Sequence, residues 1–386
     1  MAILFLMLLL VKTFGFNNAQ PFIVDPVNPD ITVIDTPVDT SQKSKIQLAL
    51  LLDTSNSMDG LIDQAKSQLW KMVNELATAK KDGVSPDIEL AIYEYGNSGL
   101  DASKGYVRQV LPLTNDLDLV SEKLFALKTN GGDEYCGWVI NDVATDLAWS
   151  ADNDNLKLII IAGNEPFNQG PRDYKEACKK AIEKGIMINT IHCGDYEEGI
   201  RTFWKDGADC SDGKYMNINQ DDKVVHIPTP FDTTLIRLNG DLNKTYIGYG
   251  SLGGSKMESQ AAQDSNAASY GAANTRERAS AKASAAYKNT SWDLVDASEA
   301  DEKVLDKVDK DDLPEEMKKM TKEEQKKYVE SKAKERETIQ TEIKKYDALA
   351  QKYITEQQKN NAESLTLDNV MINTLKKQAT DKKFKF

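Results

Sequence analysis

The hydrophobic positions of this chain follow two periods that take turns. Residues 46–53, Ile-Gln-Leu-Ala-Leu-Leu-Leu-Asp, form an almost unbroken apolar run, the pattern of a strand buried on both faces of a parallel sheet. The period then changes. Ile62, Ala65, Leu69, Met72 and Leu76 recur at steps of three and four, which predicts a helix laying one stripe on that sheet. The alternation continues with strands at 88–95, 106–110, 156–162, 186–192 and 214–218, and helices at 117–127, 138–149, 174–184, 197–204 and 232–242. Strands and helices alternating in this way predict a doubly wound, mostly parallel α/β sheet. Ligands bind such sheets beyond the carboxyl ends of the strands, where the strand order reverses, so the loops after Leu52, Ile161 and Ile191 are the first places to look for a site.

The flanking segments read differently. Residues 1–11 are apolar, short for a membrane-spanning helix and about right for the hydrophobic stretch of a signal peptide, although no Lys or Arg precedes them. The expectation is a signal peptide over 1–19 and an extended linker over 20–44, which carries Pro21, Pro26, Pro29 and Pro37. The protein is then exported to a periplasmic, secreted or cell-surface location without a stable transmembrane anchor. The α/β unit occupies 45–248. An Ala/Ser-rich helical or flexible segment follows over 249–312, then a charged helical region over 313–386, where Pro314 suits a first helical turn. Ile339, Ile343, Tyr346, Ala350 and Tyr353 step by four and three, as in the seam of a helical hairpin or coiled coil. Self-association through these helices is one expectation, and a solvated, partly disordered stalk is the other.

Length and charge narrow the function classes. A chain of 386 residues exceeds one typical domain, and its net charge of −13, with basic residues interleaved among acids, excludes a nucleic-acid binder. Cys136, Cys178, Cys193 and Cys210 lack the close paired spacing of a zinc ribbon. Disulfides and buried free thiols both remain open, and spacing assigns no pairing.

The first strand ends in Asp53-Thr54-Ser55-Asn56-Ser57, which places a carboxylate and two hydroxyls on one loop before a helix. Oxygen donors of this kind suit a hard divalent cation, Mg²⁺ first, with Ca²⁺ or Mn²⁺ also accommodated. Asp53 and Ser55 read equally well as caps of the following helix. Two further loops tip the balance, because with them the sequence resembles the von Willebrand factor type A (vWA) family and its metal-ion-dependent adhesion site (MIDAS), in the manner of bacterial exported vWA proteins. Asp53, Ser55 and Ser57 are in register with the family's D-x-S-x-S motif. Asn130-Gly131-Gly132-Asp133-Glu134 falls where the family often has Gly-Gly-Thr, and Ile161-Ala162-Gly163-Asn164-Glu165-Pro166 falls where it has an aspartate loop.

The resemblance covers about residues 45–245 and implies metal ligation by Asp53, Ser55, Ser57, Asp133 and Asn164, with Thr129 and Glu165 as alternatives in a shifted register. It also implies a protein or matrix ligand whose acidic residue completes the coordination. Asp133 stands in place of the usual threonine and Asn164 in place of the usual aspartate, so the count of two carboxylates is kept, but a directly bound Asp133 lowers the pull of the cation on a partner. The competing expectation is an assembly scaffold of an envelope complex with a structural or vestigial metal. No enzyme is expected. His192 beside Cys193, His226, and the Glu134 and Glu165 carboxylates make no convincing catalytic set, and Gly131-Gly132 lacks the Lys and Ser/Thr of a phosphate-binding loop.

Overall fold

The apolar run at 46–53 becomes strand β1 (Lys45–Asp53), and its period of two divides the interior. Ile46, Leu48, Leu50 and Leu52 face one helical layer, while Ala49 and Leu51 face the other. The computed structural model describes residues 43–219, 226–359 and 367–386. The signal peptide expected over 1–19, and the linker expected over 20–44 as far as residue 42, lie outside the described residues.

Around β1 the sheet adds β2 (Asp87–Tyr95), β3 (Val107–Thr114), β4 (Leu156–Gly163), β5 (Met187–Cys193) and β6 (Tyr215–Ile218). The strand order is β3-β2-β1-β4-β5-β6, parallel throughout except for β3, which runs antiparallel to β2. This is the doubly wound α/β class that the alternation predicted. From β1 the chain builds outward to β2 and β3 on one side, then crosses to β4, β5 and β6 on the other. The loops leaving β1 and β4 therefore part company and open a crevice between them.

Helices α1 (Asp59–Ala77) and α2 (Leu117–Phe125) cover one face of the sheet. The other face is covered by α3 (Cys136–Asp146) and α4 (Tyr174–Glu183). The helix expected over 197–204 is two short helices, α5 (Tyr196–Arg201) and α6 (Trp204–Asp209), divided at Phe203, whose φ of 70° breaks the turn. A disulfide joins Cys178 of α4 to Cys210 just after α6, while Cys136 and Cys193 are buried free thiols.

The C-terminal region does not stand apart as a stalk. After α7 (Asp232–Asn243) come α8 (Gly253–Ser269), α9 (Ala272–Lys282), α10 (Leu294–Ala300), α11 (Val304–Lys307), α12 (Lys322–Lys359) and α13 (Leu367–Asp381). These helices belong to one compact unit with the sheet, spanning Lys43–Phe386. Helix α9 packs on α1 and α7, α12 packs on α7, and α13 packs on α1 and β6. The seam expected for self-association is used inside the chain: Ile343 and Ala350 of α12 are fully buried in the same core as α7, and Tyr346 lies 6.3 Å from the Phe231 ring. The physical reason is that the sheet layer leaves α1 and α7 with apolar surface that a second layer of helices covers. At the C-terminus, Gln378 of α13 and Asn189 of β5 exchange amide hydrogen bonds of 2.9 and 2.8 Å, and Lys385 bridges to Lys80.

Helix α9 is polar in sequence yet buried along nearly its whole length. Its charges are paired: Arg276 with Asp232 at 2.7 Å, Arg278 with Asp118 at 2.7 Å and Asp264 at 2.9 Å, Lys282 with Asp264 at 3.1 Å. Arg336 of α12 closes a similar pair on Asp293 at 2.6 Å. Asn243 and Asn289, each opening an Asn-x-Ser/Thr triplet of the kind that accepts N-linked glycans, fall in these buried networks, their side chains held by Asp264 and Lys282, and by Trp292.

Two stability predictions follow from this packing. Burial works to raise the Asp264 carboxyl, but Lys282 and Arg278 outweigh it and hold it down at about 2, against an ordinary 3.8. A depressed carboxyl contributes stability above its unfolded value and loses it as pH falls through the folded one. Urea unfolding is therefore expected to lose about 2 kcal/mol between about pH 4 and pH 2 through this group, a loss that Asp264→Asn should abolish. Serine at both Cys178 and Cys210, which are 32 residues apart, should lower unfolding stability by about 3–4 kcal/mol, read as a shift in denaturant midpoint.

Candidate metal centre

Asp53 is the last residue of β1 and is fully buried. Its Oδ1 accepts from the Ser55 amide at 2.7 Å, while Oδ2, also buried, has no hydrogen-bond partner. The short helical turn Asn56–Met58 and α1 both begin without a side-chain cap, so neither Asp53 nor Ser55 serves as a helix cap. The Ser55 and Ser57 hydroxyls lie 3.2 Å apart. Thr54 anchors the loop from behind, its amide donating to the Tyr95 carbonyl at 2.9 Å and its hydroxyl to Glu94 at 3.3 Å.

Asn164 follows β4 and reaches across the crevice, its Nδ2 donating to Ser57 Oγ at 3.2 Å. Its Oδ1 is a second buried oxygen without a partner. Four of the expected ligands, Asp53, Ser55, Ser57 and Asn164, are thus brought together.

Asp133 is not among them. It is exposed, and its carboxylate accepts from the Tyr135 hydroxyl at 3.2 Å. The next residue, Glu134, is the one carried inward: it is buried, and its carboxyl lies within hydrogen-bonding reach of Asp53 and Ser55. The loop backbone fixes this register. Ser98 N donates to the Gly131 carbonyl at 2.6 Å and Asn130 N to the Thr54 carbonyl at 2.8 Å, and Gly132 sits so close to Gly96 that a Cβ would lie 2.6 Å from the Gly96 carbonyl oxygen. Thr129 donates its hydroxyl to Asp59 at the start of α1, and Glu165 stays exposed, acting on the pair only through its charge.

Two glycines make room for the paired carboxyls. Gly96, at φ +78°, would place a Cβ 2.7 Å from Glu134 Cγ and 2.8 Å from Asp53 Oδ1. At Gly163 a Cβ would meet the Tyr95 hydroxyl at 2.4 Å and Asp53 Oδ2 at 3.1 Å. Burial pushes both carboxyls up; Asp53 raises Glu134 further, while the hydrogen bond from Glu134 works to lower Asp53, and the pair retains a proton well above the ordinary carboxylate range. Glu134 was open to sequence reading only as one of two adjacent acids after Gly131-Gly132, a place where loop residues follow no period.

The residues weighed for catalysis separate. His192 and Cys193 are neighbours on β5 and point to opposite faces. The His192 ring lies between two carbonyl oxygens, Asp195 at 3.1 Å from Nδ1 and Asn164 at 3.3 Å from Nε2, and the ring N–H donates to one of them according to its tautomer. His226 meets the Asn274 amide at 3.1 Å, in the C-terminal layer. The buried Trp204 indole donates to the Glu165 carbonyl at 2.9 Å, supporting the third loop from below.

Among the described residues no cluster of three His, Cys, Asp or Glu side chains surrounds a common point. The donor set is instead mixed: two carboxyls, two hydroxyls and an amide oxygen. It fits a hard cation, because Asp53 and Asn164 each present, on the loops that carry the two hydroxyls or reach them, a buried oxygen with no hydrogen-bond partner among the described residues.

The chain is similar in fold to several solved structures. One is BatB, a conserved hypothetical protein from Bacteroides thetaiotaomicron, at 18% identity over 45% of this chain and 90% of that one, TM-score 0.34. Another is proximal thread matrix protein 1 from the mussel byssus with a zinc-occupied MIDAS motif, at 10% identity over 46% and 43%, TM-score 0.34. A third is the pilus adhesin SpaC from Lactobacillus rhamnosus GG, at 12% identity over 47% and 28%, TM-score 0.36. A comparison with curated proteins gives no match. Residues 47–223, which hold every residue of the candidate centre, match the von Willebrand factor type A domain family.

Proposed function

We propose that this protein is an exported, non-catalytic binding module that captures a protein or matrix ligand through a divalent cation. The observation that carries the proposal is the pair of buried, unpartnered oxygens, Asp53 Oδ2 and Asn164 Oδ1, beside the Ser55 and Ser57 hydroxyls. A buried acceptor left unsatisfied costs about 1–3 kcal/mol, and a cation with oxygen ligands relieves both at once. Asp53, Ser55, Ser57 and Asn164 would hold the metal, with Glu134 as second carboxyl in the role the sequence had given to Asp133. Mg²⁺ suits this set best, and Ca²⁺ or Mn²⁺ share its preference for oxygen. The bound cation supplies a Lewis acid for a carboxylate oxygen of the ligand. A second carboxyl in contact with Asp53 weakens that attraction, so the module is a moderate binder whose strength depends on where Glu134 sits.

Calorimetric titration with Mg²⁺ tests the ligand assignment. Asp53→Ala should weaken binding by about a hundredfold or more, while Asp133→Ala should stay within about threefold of the parent. Equal losses for the two would return Asp133 to the site and remove Glu134. Capture of the ligand should also be lost in EDTA, and capture that persists in EDTA and in Asp53→Ala would replace the binding module by the assembly scaffold.

The shared proton gives a second test. Because both carboxyls are raised, the ionised, ligating form of the pair grows as pH rises. Mg²⁺ affinity should climb with pH, by at most about tenfold per unit, with release of about one proton. Calorimetry in buffers of different ionisation enthalpy measures that proton, and Glu134→Gln should eliminate its release. An affinity independent of pH from about 6 to 9 would contradict the carboxyl pair.

A further inference from the structure

Three helices of the C-terminal layer bring an amine, a carboxamide and a carboxylate to one point. Lys282 is the last residue of α9, Asn243 the last of α7, and Asp264 lies in the second half of α8. The Lys282 Nζ lies against the Asn243 carboxamide oxygen, 39 residues away in sequence, and 3.1 Å from Asp264 Oδ2. That same carboxylate oxygen accepts from Asn243 Nδ2 at 2.7 Å. One oxygen thus touches both nitrogens, the amine and the amide, while Asp264 Oδ1 is taken by Arg278 at 2.9 Å.

The surroundings make Lys282 a nucleophile. Its side chain is fully buried, and the centroid of the Tyr246 ring, itself stacked on Trp292, is 5.8 Å from Nζ. Burial pulls the amine from the ordinary 10.5 down to about 8; Asp264 opposes the fall, Arg278 of the same helix adds to it, and Asp118 of α2 opposes it again. From α12, Arg336 lies 4.1 Å over the Tyr246 ring. A lysine desolvated beside a second cation is the kind that reacts as a free amine, and about a tenth of this one is neutral at pH 7. A structural ion pair needs only the amine and the carboxylate. Here the carboxamide spans the two, its oxygen on the amine and its nitrogen on the carboxylate, so the carbon that an amine attacks lies between the contacts.

We propose that Lys282 and Asn243 join in an intramolecular isopeptide bond, made by the chain itself with Asp264 as proton carrier. The neutral amine attacks Asn243 Cγ, so the Nζ–Cγ bond forms and the Cγ–Nδ2 bond breaks. Asp264 Oδ2 takes a proton from Nζ and passes it to Nδ2, which leaves as ammonia, and nothing is oxidised or reduced. Once Lys282 is neutral, Asp264 has lost one of the two cations that hold it down and is the better base for this transfer. Asn243 is half-buried, which gives the ammonia a way out. The step occurs once and acts on no outside substrate. Its product fastens the end of α7 to the end of α9 and closes a loop around α8, while Arg278 stays on Asp264. No residue of the metal centre takes part, so the two sites are tested separately.

Peptide mapping of the full chain tests the bond. The parent is held at about pH 9, where most of Lys282 is neutral, and then digested with trypsin. Residues 238–244 should appear joined to residues 279–288, because a modified Lys282 no longer admits the protease. The joined peptide should weigh about 17 Da less than its two parts, the mass of one ammonia, and fragmentation should place the link between Asn243 and Lys282. Lys282→Arg, which keeps the charge without the amine, and Asp264→Ala, which keeps both reacting groups, should each leave residues 238–244 free. An unlinked parent overturns the bond whether or not either variant folds. Loss of ammonia within residues 238–244 alone, by closure of the Asn243 side chain on its own backbone, would overturn it too. So would a link at Asn239, whose amide also reaches Asp264 at 3.1 Å. A link that forms equally in Asp264→Ala would overturn Asp264 as the proton carrier.

Discussion

A carboxylate at the end of a buried central strand is the constraint around which this domain is arranged. β1 is apolar on both faces because helices cover the sheet on both sides, so Asp53 ends where water does not reach. A charge so placed must be neutralised, hydrogen-bonded or coordinated. One oxygen is met by the Ser55 amide, and a proton shared with Glu134 lowers the charge of the pair. The remaining oxygen has no hydrogen-bond partner among the described residues. Gly96 can be no larger because the paired carboxyls occupy the space a Cβ would fill, and Gly163 because the Tyr95 hydroxyl does, with Asp53 close behind it. The reversal of strand order beside β1 then decides which loops surround the carboxylate: the β4 loop brings Asn164, and the loop before α3 brings Glu134.

Buried charge is used in two opposite ways here. In the C-terminal layer the charges of Arg276, Arg278, Lys282 and Arg336 each find a carboxylate within about 3 Å. Removing one partner from such a pair leaves an uncompensated charge indoors, which fixes how α9 and α12 lie on α1 and α7 more tightly than apolar contact alone would. At the metal centre the acceptors outnumber the donors. In the first arrangement every one of these charges has a counter-charge within the chain, although Arg276 Nε and Arg278 Nη1 close no hydrogen bond; in the second the paired carboxyls face no cation among the described residues, and the site points outside the chain for one.

The same distinction explains what could be read from sequence. Period is a property of regular elements that bury one face, so β1, α1, β4 and the doubly wound order were legible, and with them the loops that follow Leu52 and Ile161. Asp53, Ser55 and Ser57 could be named because they stand at the end of a strand whose period is plain, and Asn164 because its loop resembles the aspartate loop of the vWA family. Glu134 could not be told from Asp133, because a loop has no period and the choice between adjacent acids is made by the backbone bonds of Gly131 and by the crowding of Gly132 against Gly96. Helix α9 misled for a different reason. It lies in the stretch expected as an Ala/Ser-rich helical or flexible segment, and only the carboxylate partners of Arg276, Arg278 and Lys282, which lie outside the helix, reveal a core helix. The apolar seam of α12 was visible, but a seam does not say whether its partner is another chain or an earlier helix of the same one.

The C-terminal layer is also part of the support of the site. Strand β5 presents Asn189 to one face, where it exchanges amide bonds with Gln378 of α13, and His192 to the other, where the ring packs between the Asn164 and Asp195 carbonyls. One rigid strand is thereby held from behind by the last helix of the chain and in turn holds the loop that carries Asn164. Isolated at residue 250, the sheet would lose the cover that α13 gives β5 and leave the Asn189 amide without its partner in the interior. The α/β unit recognised in sequence is therefore a smaller object than the unit that positions the candidate centre, which runs on to Phe384, the aromatic plug buried near the end of the chain.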